Sequence, residues 1–271
     1  MIGMAYFVIA FLISYLITPK ALMMLKSGGL MKNNFQGALI PSTAGIIFSA
    51  VLALTYVLLS FTSTVSIVAY SYLGFIAFVS LAGLVDDVAG SRDNRGFKGH
   101  FSFLFKQKEI TTGVWKAAMG GIIAILAALL ISTTWWDMVL NVLLIALMSN
   151  IFNLLDVRPG RSIKVFLLCA SLVVIFLPSD TTTILLYPLA GAVSAYLVYD
   201  LHAKSMMGDT GSNVLGLALG LALASGGNLG ARISVVAGLV LLHIVSEYCS
   251  FTRIIDHNKI LGLLDRLGRR D

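Results

Sequence analysis

Gly208-Asp209-Thr210-Gly211-Ser212-Asn213 runs without a break into Val214-Leu215-Gly216-Leu217-Ala218-Leu219-Gly220-Leu221-Ala222-Leu223-Ala224. A carboxylate, two hydroxyls and an amide thus open an apolar run of helical length. A carboxylate at membrane depth costs about 2.5–3.5 kcal/mol on insertion scales, so one kept there lines a wet cavity, pairs, or holds a cation. The same argument applies to Leu84-Val85-Asp86-Asp87, which closes another apolar run. Adjacent carboxylates repel and need a metal, a lysine or a shared proton to coexist.

The rest of the chain fits the bilayer that these two stretches imply. Of 271 residues, 58% are hydrophobic and 12% charged, more apolar than a soluble domain of this length requires. About nine apolar runs read as spanning helices: Met4–Leu25, Ile40–Ser60, Ser66–Val85, Val114–Ile131, Met138–Leu155, Ile163–Leu177, Ile184–Tyr199, Val214–Ala224 and Ile233–Phe251. The sixth to eighth are short, as expected of helices that tilt, extend into their flanks or break around a cavity. The first run lacks a basic leader and a small-residue cleavage site, so it reads as a retained helix. Cys169 and Cys249 lie in apolar runs and read as buried thiols without a disulfide or metal role. The fold class is an all-α polytopic integral membrane protein. Residues 1–251 form one transmembrane domain, and 252–271 a basic amphipathic tail on the membrane surface.

Orientation follows from lysine and arginine. With nine spans and the N-terminus outside, 18 of the 19 basic residues fall on one face and Arg232 alone on the other. The basic face is then cytoplasmic, and the C-terminus lies there too. This places the protein in the cell membrane with its polar motifs on the cytoplasmic side. The net charge of +6 reflects that bias and an attraction to anionic lipid, and gives no reason to invoke nucleic acid.

The polar clusters share that face. A loop of about 26 residues, Val88 to Gly113, follows Asp86-Asp87, and loops of this length are usually functional. Asn150, Asn153 and Asp156 recur every third residue, which puts them on one stripe of the fifth helix, facing protein or water. Arg158, Arg161 and Lys164 follow and suit phosphate. Lys204 precedes the Gly208–Ser212 segment, where glycines admit a ligand and a helix N-terminus favours an anion. His243 and Glu247, four apart within the last run, are expected to pair with each other.

With Asp86-Asp87, Asn150-x-x-Asn153-x-x-Asp156 and Ala203-Lys204-x-x-x-Gly208-Asp209-x-Gly211-Ser212-x-x-x-Gly216 in this order, the chain resembles the polyprenyl-phosphate N-acetylhexosamine-1-phosphate transferases, the group of phospho-N-acetylmuramoyl-pentapeptide transferase within glycosyltransferase family 4. Pro41-Ser-Thr-Ala-Gly45 looks like the Pro-Thr-x-Gly-Gly element of that group, and Lys116 stands where it places a basic residue. The resemblance covers about residues 1–225. It implies transfer of a sugar 1-phosphate from a UDP-sugar to a polyprenyl phosphate at the cytoplasmic leaflet, for cell-envelope glycans, with Mg2+ or Mn2+. It also implies Asp86, Asp87 and Asp209 as catalytic, with Asp209 and Asp87 at the metal. Lys116, Asn150, Asn153, Asp156, Arg158, Arg161, Lys204, Gly211 and Ser212 would bind substrate. Partners are the UDP-sugar, the lipid phosphate and membrane lipids, with a homodimer left open.

The chain departs from the pattern in three places. Val157-Arg158-Pro159-Gly160-Arg161 replaces Gly-x-Asp-Gly, exchanging a carboxylate for two guanidinium groups. His257 stands alone where the group often has several histidines, and no tenth helix follows. The lysine that often precedes the Pro-Thr element is absent. A non-catalytic member that binds a lipid phosphate or a protein partner is the competing expectation. A small-solute or lipid transporter is a weaker one, because mid-depth charges are few.

Overall fold

The computed structural model describes residues 2–61, 65–90 and 112–269. Eleven helices are numbered here in chain order: α1 Ile2–Ser27, α2 Ile46–Ser60, α3 Ile67–Ala89, α4 Thr112–Ile131, α5 Trp135–Leu155, α6 Arg161–Phe176, α7 Asp180–Leu201, α8 Gly208–Gly226, α9 Leu229–Tyr248, α10 Phe251–His257 and α11 Lys259–Arg266. Among the described residues, each of the nine apolar runs contains one helix, α1 to α9, although the second run opens in a strand and becomes helical only at Ile46. Six of these are long and apolar enough to cross a membrane: α1, α3, α4, α5, α7 and α9. At 15, 16 and 19 residues, α2, α6 and α8 are not among the six. The fold is an all-α membrane bundle with one small exception. Met31–Asn33 (β1) and Leu39–Pro41 (β2) form an antiparallel hairpin between α1 and α2, with Lys32 opposite Ile40. Asn34 makes its turn, its side chain accepting from the Gln36 and Ala38 amides at 2.9 Å each, an Asx-type turn hidden in sequence by the apolar residues that follow.

Two kinds of helix start distinguish the ends of the bundle. At one end, Ser66, Thr134, Ser179 and Asn228 cap α3, α5, α7 and α9 with their own side chains. At the other end, α2, α6 and α8 follow Gly45, Gly160 and Met207 and have no cap of their own. Their free amides are served from elsewhere in the chain or face the site.

Helix α8 is the axis. Thr210 to Ala222 is buried along its whole length, and α2, α3, α5, α6 and α7 pack around it. Glycine sets the distance. A Cβ on Gly45 would strike the Gly211 backbone, and one on Gly216 would strike Met148 and Ser149 of α5. Close approach of small residues is how helices associate where lipid offers no hydrophobic drive. The chain 41–45 is stitched to the start of α8: Met206 N donates to Pro41 O at 2.8 Å, Ala44 N to Met206 O at 3.0 Å and Gly45 N to Met207 O at 2.9 Å.

The expected pair within the last run does not form as read. His243 Nδ1 lies 2.7 Å from Leu239 O in its own helix, and Glu247 is exposed. Cys169 is partly buried and Cys249 is exposed, both as free thiols. Arg92, Arg95, Lys98, Lys106, Lys108 and Arg270 of the basic face lie outside the described residues.

Candidate active site

Four helices bring their polar ends to one place: the C-terminal end of α3, the N-terminal end of α4, the C-terminal end of α5 and the N-terminal end of α8. Lys116 of α4 is the hub. Its Nζ bonds the Asp209 carboxylate and lies 3.5 Å from Asp86 Oδ2. The Asn153 amide closes the ring, oriented so that its oxygen accepts from Lys116 Nζ at 2.8 Å and its nitrogen donates to Asp209 Oδ1 at 2.5 Å. Ser212 Oγ stands 3.4 Å from the same amide. Asp86, Asp209 and Lys116 are each about one-fifth to one-quarter exposed, so the cluster is partly desolvated yet reachable.

Asp87 does something different from its neighbour. Its Oδ1 accepts from Asp209 N at 3.2 Å, and its Oδ2 accepts from Thr210 N at 3.0 Å and Thr210 Oγ1 at 2.7 Å. It therefore caps α8 from across the bundle, supplying what Met207 cannot. A Cβ on Gly208, at φ +67, would collide with that carboxylate. The twin carboxylates are thus split: Asp86 faces Lys116, while both oxygens of Asp87 are already taken by donors. Asp87, expected from sequence at the metal, serves in this structure as the cap of α8.

Beside the cluster lies a cavity of about 160 Å³. Carboxylates of Asp87, Asp156, Asp200 and Asp209 line it together with Lys32 and Arg158. Burial first, then the charges of Asp200, Asp209 and Asp87, push the Asp156 carboxyl well above the usual carboxylate range. Such an acidic wall attracts a cation or a donor-rich ligand. The Arg158 guanidinium lies 4.8 Å from the centre of the Phe35 ring, which holds it over the cavity by a cation–π contact with the hairpin.

Asp200 is the residue that the sequence reading missed. It is buried at the end of α7, and its Oδ2 accepts from Gly160 N at 2.6 Å. Gly160, at φ +71, takes a left-handed turn that suits glycine, and a Cβ there would also strike Leu201. A carboxylate closing the seventh apolar run was the available signal, the same one that marked Asp86 and Asp87.

Other expected residues stand elsewhere. Arg161 is 3% exposed and forms a fork to Asp265, Nε to Oδ1 at 2.8 Å and one terminal nitrogen to Oδ2 at 2.9 Å, with the other 3.0 Å from Thr252 Oγ1. It ties α6 to the tail and does not line the cavity. Gly211 packs against Gly45. Lys204 is exposed, and Asn150, half-buried, does not line the cavity.

The sequence model of glycosyl transferase family 4 matches residues 69–227. The chain belongs to glycosyl transferase family 4. The match begins in α3 and ends just beyond α8, so it contains every member of the Lys116 cluster, while the hairpin, α9 and the tail lie outside it. The activity of this kind of glycosyl transferase is sugar-phosphate transfer at a membrane. No protein with a curated description matches the chain.

Arg158 and Arg161 of this family 4 chain should respond differently to substitution. Arg161→Gln leaves Asp265 buried without its fork, and is expected to destabilise the protein by about 3–5 kcal/mol. Asp265 is outside the bundle; burial would raise its pKa, but the hydrogen bonds and charge of Arg161, with Arg269, hold it below the usual carboxylate range. This contribution is present above the ordinary aspartate pKa and is lost as pH falls through the lowered one. Unfolding followed against pH should show the wild type losing its advantage over Arg161→Gln only in that acid range.

Proposed function

We propose that the protein transfers a sugar 1-phosphate from a UDP-sugar to a polyprenyl phosphate, giving a polyprenyl-diphosphate-sugar and UMP. The observation that carries this reading is the Lys116 ammonium between Asp86 and Asp209, beside a cavity that Asp209 shares and that further carboxylates and Arg158 line. A phosphate oxygen of the lipid forms a bond to the phosphorus that bears the sugar. The bond from that phosphorus to the bridging oxygen of the diphosphate breaks, and the oxygen leaves with UMP. In this reading Lys116 holds a phosphate oxygen and Asp86 orients the lipid phosphate. Arg158 takes the diphosphate, and Asn153 and Asp156 serve the nucleotide side.

Among the described residues no three side chains form a ready metal cluster. The donor set nonetheless fits magnesium, which is commonly held by one or two carboxylates plus substrate phosphates and keeps several waters. Asp209 and Asp86 would hold it, with the Asn153 amide oxygen near. Bound there, magnesium would neutralise charge on the diphosphate.

Arg158→Gln should raise the Michaelis constant of the donor about ten- to hundredfold and leave that of the lipid unchanged, since a charge-assisted contact contributes roughly 1.5–3 kcal/mol. Steady-state kinetics with each substrate varied in turn would measure this. An unchanged donor constant would restrict Arg158 to its contact with Phe35.

The basic bias supports a cytoplasmic site. Cysteine at Lys204, which is exposed, should be labelled only from the cytoplasm, and cysteine at Thr134 only from outside. Ser205 is unsuited to this test because it is buried, donating to the Tyr196 hydroxyl at 3.0 Å; Ser91 lies outside the described residues. Labelling of Lys204→Cys from outside would refute the orientation.

The direct test is purified protein with polyprenyl phosphate, magnesium and a panel of UDP-sugars, read as UMP release and product mass. Lipid phosphate binding without UMP release from any donor would favour the non-catalytic reading.

A further inference from the structure

The tail helix α11 is amphipathic with its faces reversed. Gly262 and Asp265 turn to the protein and are buried. Ile260, Leu263, Leu264 and Leu267 are 72%, 65%, 55% and 63% exposed. At about 3.6 residues per turn these four form one row, on the side of the helix away from Asp265. What the tail offers the protein is polar, and what it turns outward is apolar.

We propose that this row docks on the surface of the lipid leaflet, and that the docking holds the cavity-lining segment 156–159 in place. The position of the helix argues for lipid as the occupant. Helix α11 follows, through α10, the site end of α9, which is long and apolar enough to cross a membrane. It is therefore delivered at the bilayer surface. Lys259 and Arg266 flank the row on one side, as suits anionic headgroups. A two-fold pairing of rows between copies would set those like charges against each other.

The link to the site is specific. Arg161, at the start of α6, grips Asp265 with its fork. Lys164 Nζ donates to the carbonyls of Leu264, Asp265 and Leu267 at 2.9, 2.6 and 3.1 Å, satisfying the orphan end of α11. Arg269 donates from Nε to Pro159 O at 2.7 Å and from its terminal nitrogen to Asp265 Oδ1 at 2.8 Å. Pro159 is between Arg158 and Gly160, and it lines the cavity. Immobilising α11 on lipid thus immobilises the turn that presents Arg158. The consequence for turnover rests on reading this cavity as the donor site; the anchoring itself does not.

The test uses full-length protein in phosphatidylcholine vesicles with and without phosphatidylglycerol. A fluorophore at Leu263→Cys, in a Cys169→Ser, Cys249→Ser background, is expected to be quenched by lipids carrying a quencher in the acyl chain, more strongly with phosphatidylglycerol. Leu263→Gln with Leu264→Gln should speed amide exchange across 156–161 by roughly tenfold, with α8 unchanged as the control for intact folding. Arg269→Gln should speed exchange in the same segment while leaving the quenching intact, because it cuts the direct bond from the tail to Pro159 and spares the row. An unquenched label overturns the docking, whether it sits in water or against a second copy that cross-links at Leu263→Cys. Unchanged exchange at 156–161 in both variants overturns the coupling. Neither readout requires turnover, so both stand if no UDP-sugar proves to be a substrate.

Discussion

Asp209→Asn is expected to lower turnover by about two to three orders of magnitude, the scale of removing one preorganised group that stabilises developing charge, and to leave unfolding unchanged. The substitution keeps the size and shape of the side chain. It keeps the backbone amide of residue 209, which is what Asp87 holds. What it removes is the charge facing Lys116 and the hard oxygen that a divalent cation would use. Single-turnover assays across a magnesium titration, beside a melting curve in detergent, would measure both halves. Near-full activity at saturating magnesium would eliminate Asp209 as a ligand of the cation. The neighbouring pair supplies the contrast. Asp86→Asn should behave like Asp209→Asn, whereas Asp87→Asn should lower stability as well, since an amide offers one acceptor where Asp87 uses two oxygens for three donors.

The second large effect is on assembly. Gly83→Val should abolish activity and destabilise the protein by about 3 kcal/mol or more, at the upper end of overpacking penalties. A Cβ on Gly83 would sit 2.5 Å from the Asp209 carbonyl oxygen and 2.6 Å from Thr210 N, against backbone that cannot swing aside. Helix α3 would have to move away from α8, drawing Asp86 and Asp87 from their partners. Gly74→Val, on the same helix with open space around its Cα, should be tolerated. Thermal unfolding of the two variants in one detergent gives the comparison. Equal stability would mean that α3 and α8 do not meet as closely as described.

The helices were legible because each apolar run carries its own boundary marks, such as Ser66, Thr134, Ser179 and Asn228 at helix starts. Asp86, Asn153 and Asp209 were legible as one group because they share a face and ordinarily cannot sit there unpartnered, whereas Lys116 was reached only through the family resemblance. Chemical type could not tell Asp86 from Asp87, since the difference lies in which direction each points from the end of α3. Arg161 was misplaced because its partner, Asp265, is 104 residues away and looked like an ordinary residue of a charged tail. The hairpin escaped notice because its second strand opens the run that was assigned to a helix, Ile40 onward, with Pro41 as the hint against it. Asp200 was overlooked because it adjoins the apolar run and has no second carboxylate to draw attention to it.

Helix α8 carries one more implication, for what keeps the site assembled. Its sequence is less apolar than that of the six helices suited to crossing a membrane, and it opens with Gly-Asp-Thr-Gly-Ser-Asn. From Thr210 to Ala222 it presents almost no surface to the surrounding solvent or lipid. The bilayer therefore contributes little to keeping α8 where it is, and its neighbours contribute most. The contacts that hold it are close ones, Gly45 against Gly211, Gly83 against Asp209 and Thr210, and Ser149 against Gly216. The segment bearing Asp209 is thus held by protein rather than by lipid, and a lesion among these close contacts would displace it from Lys116.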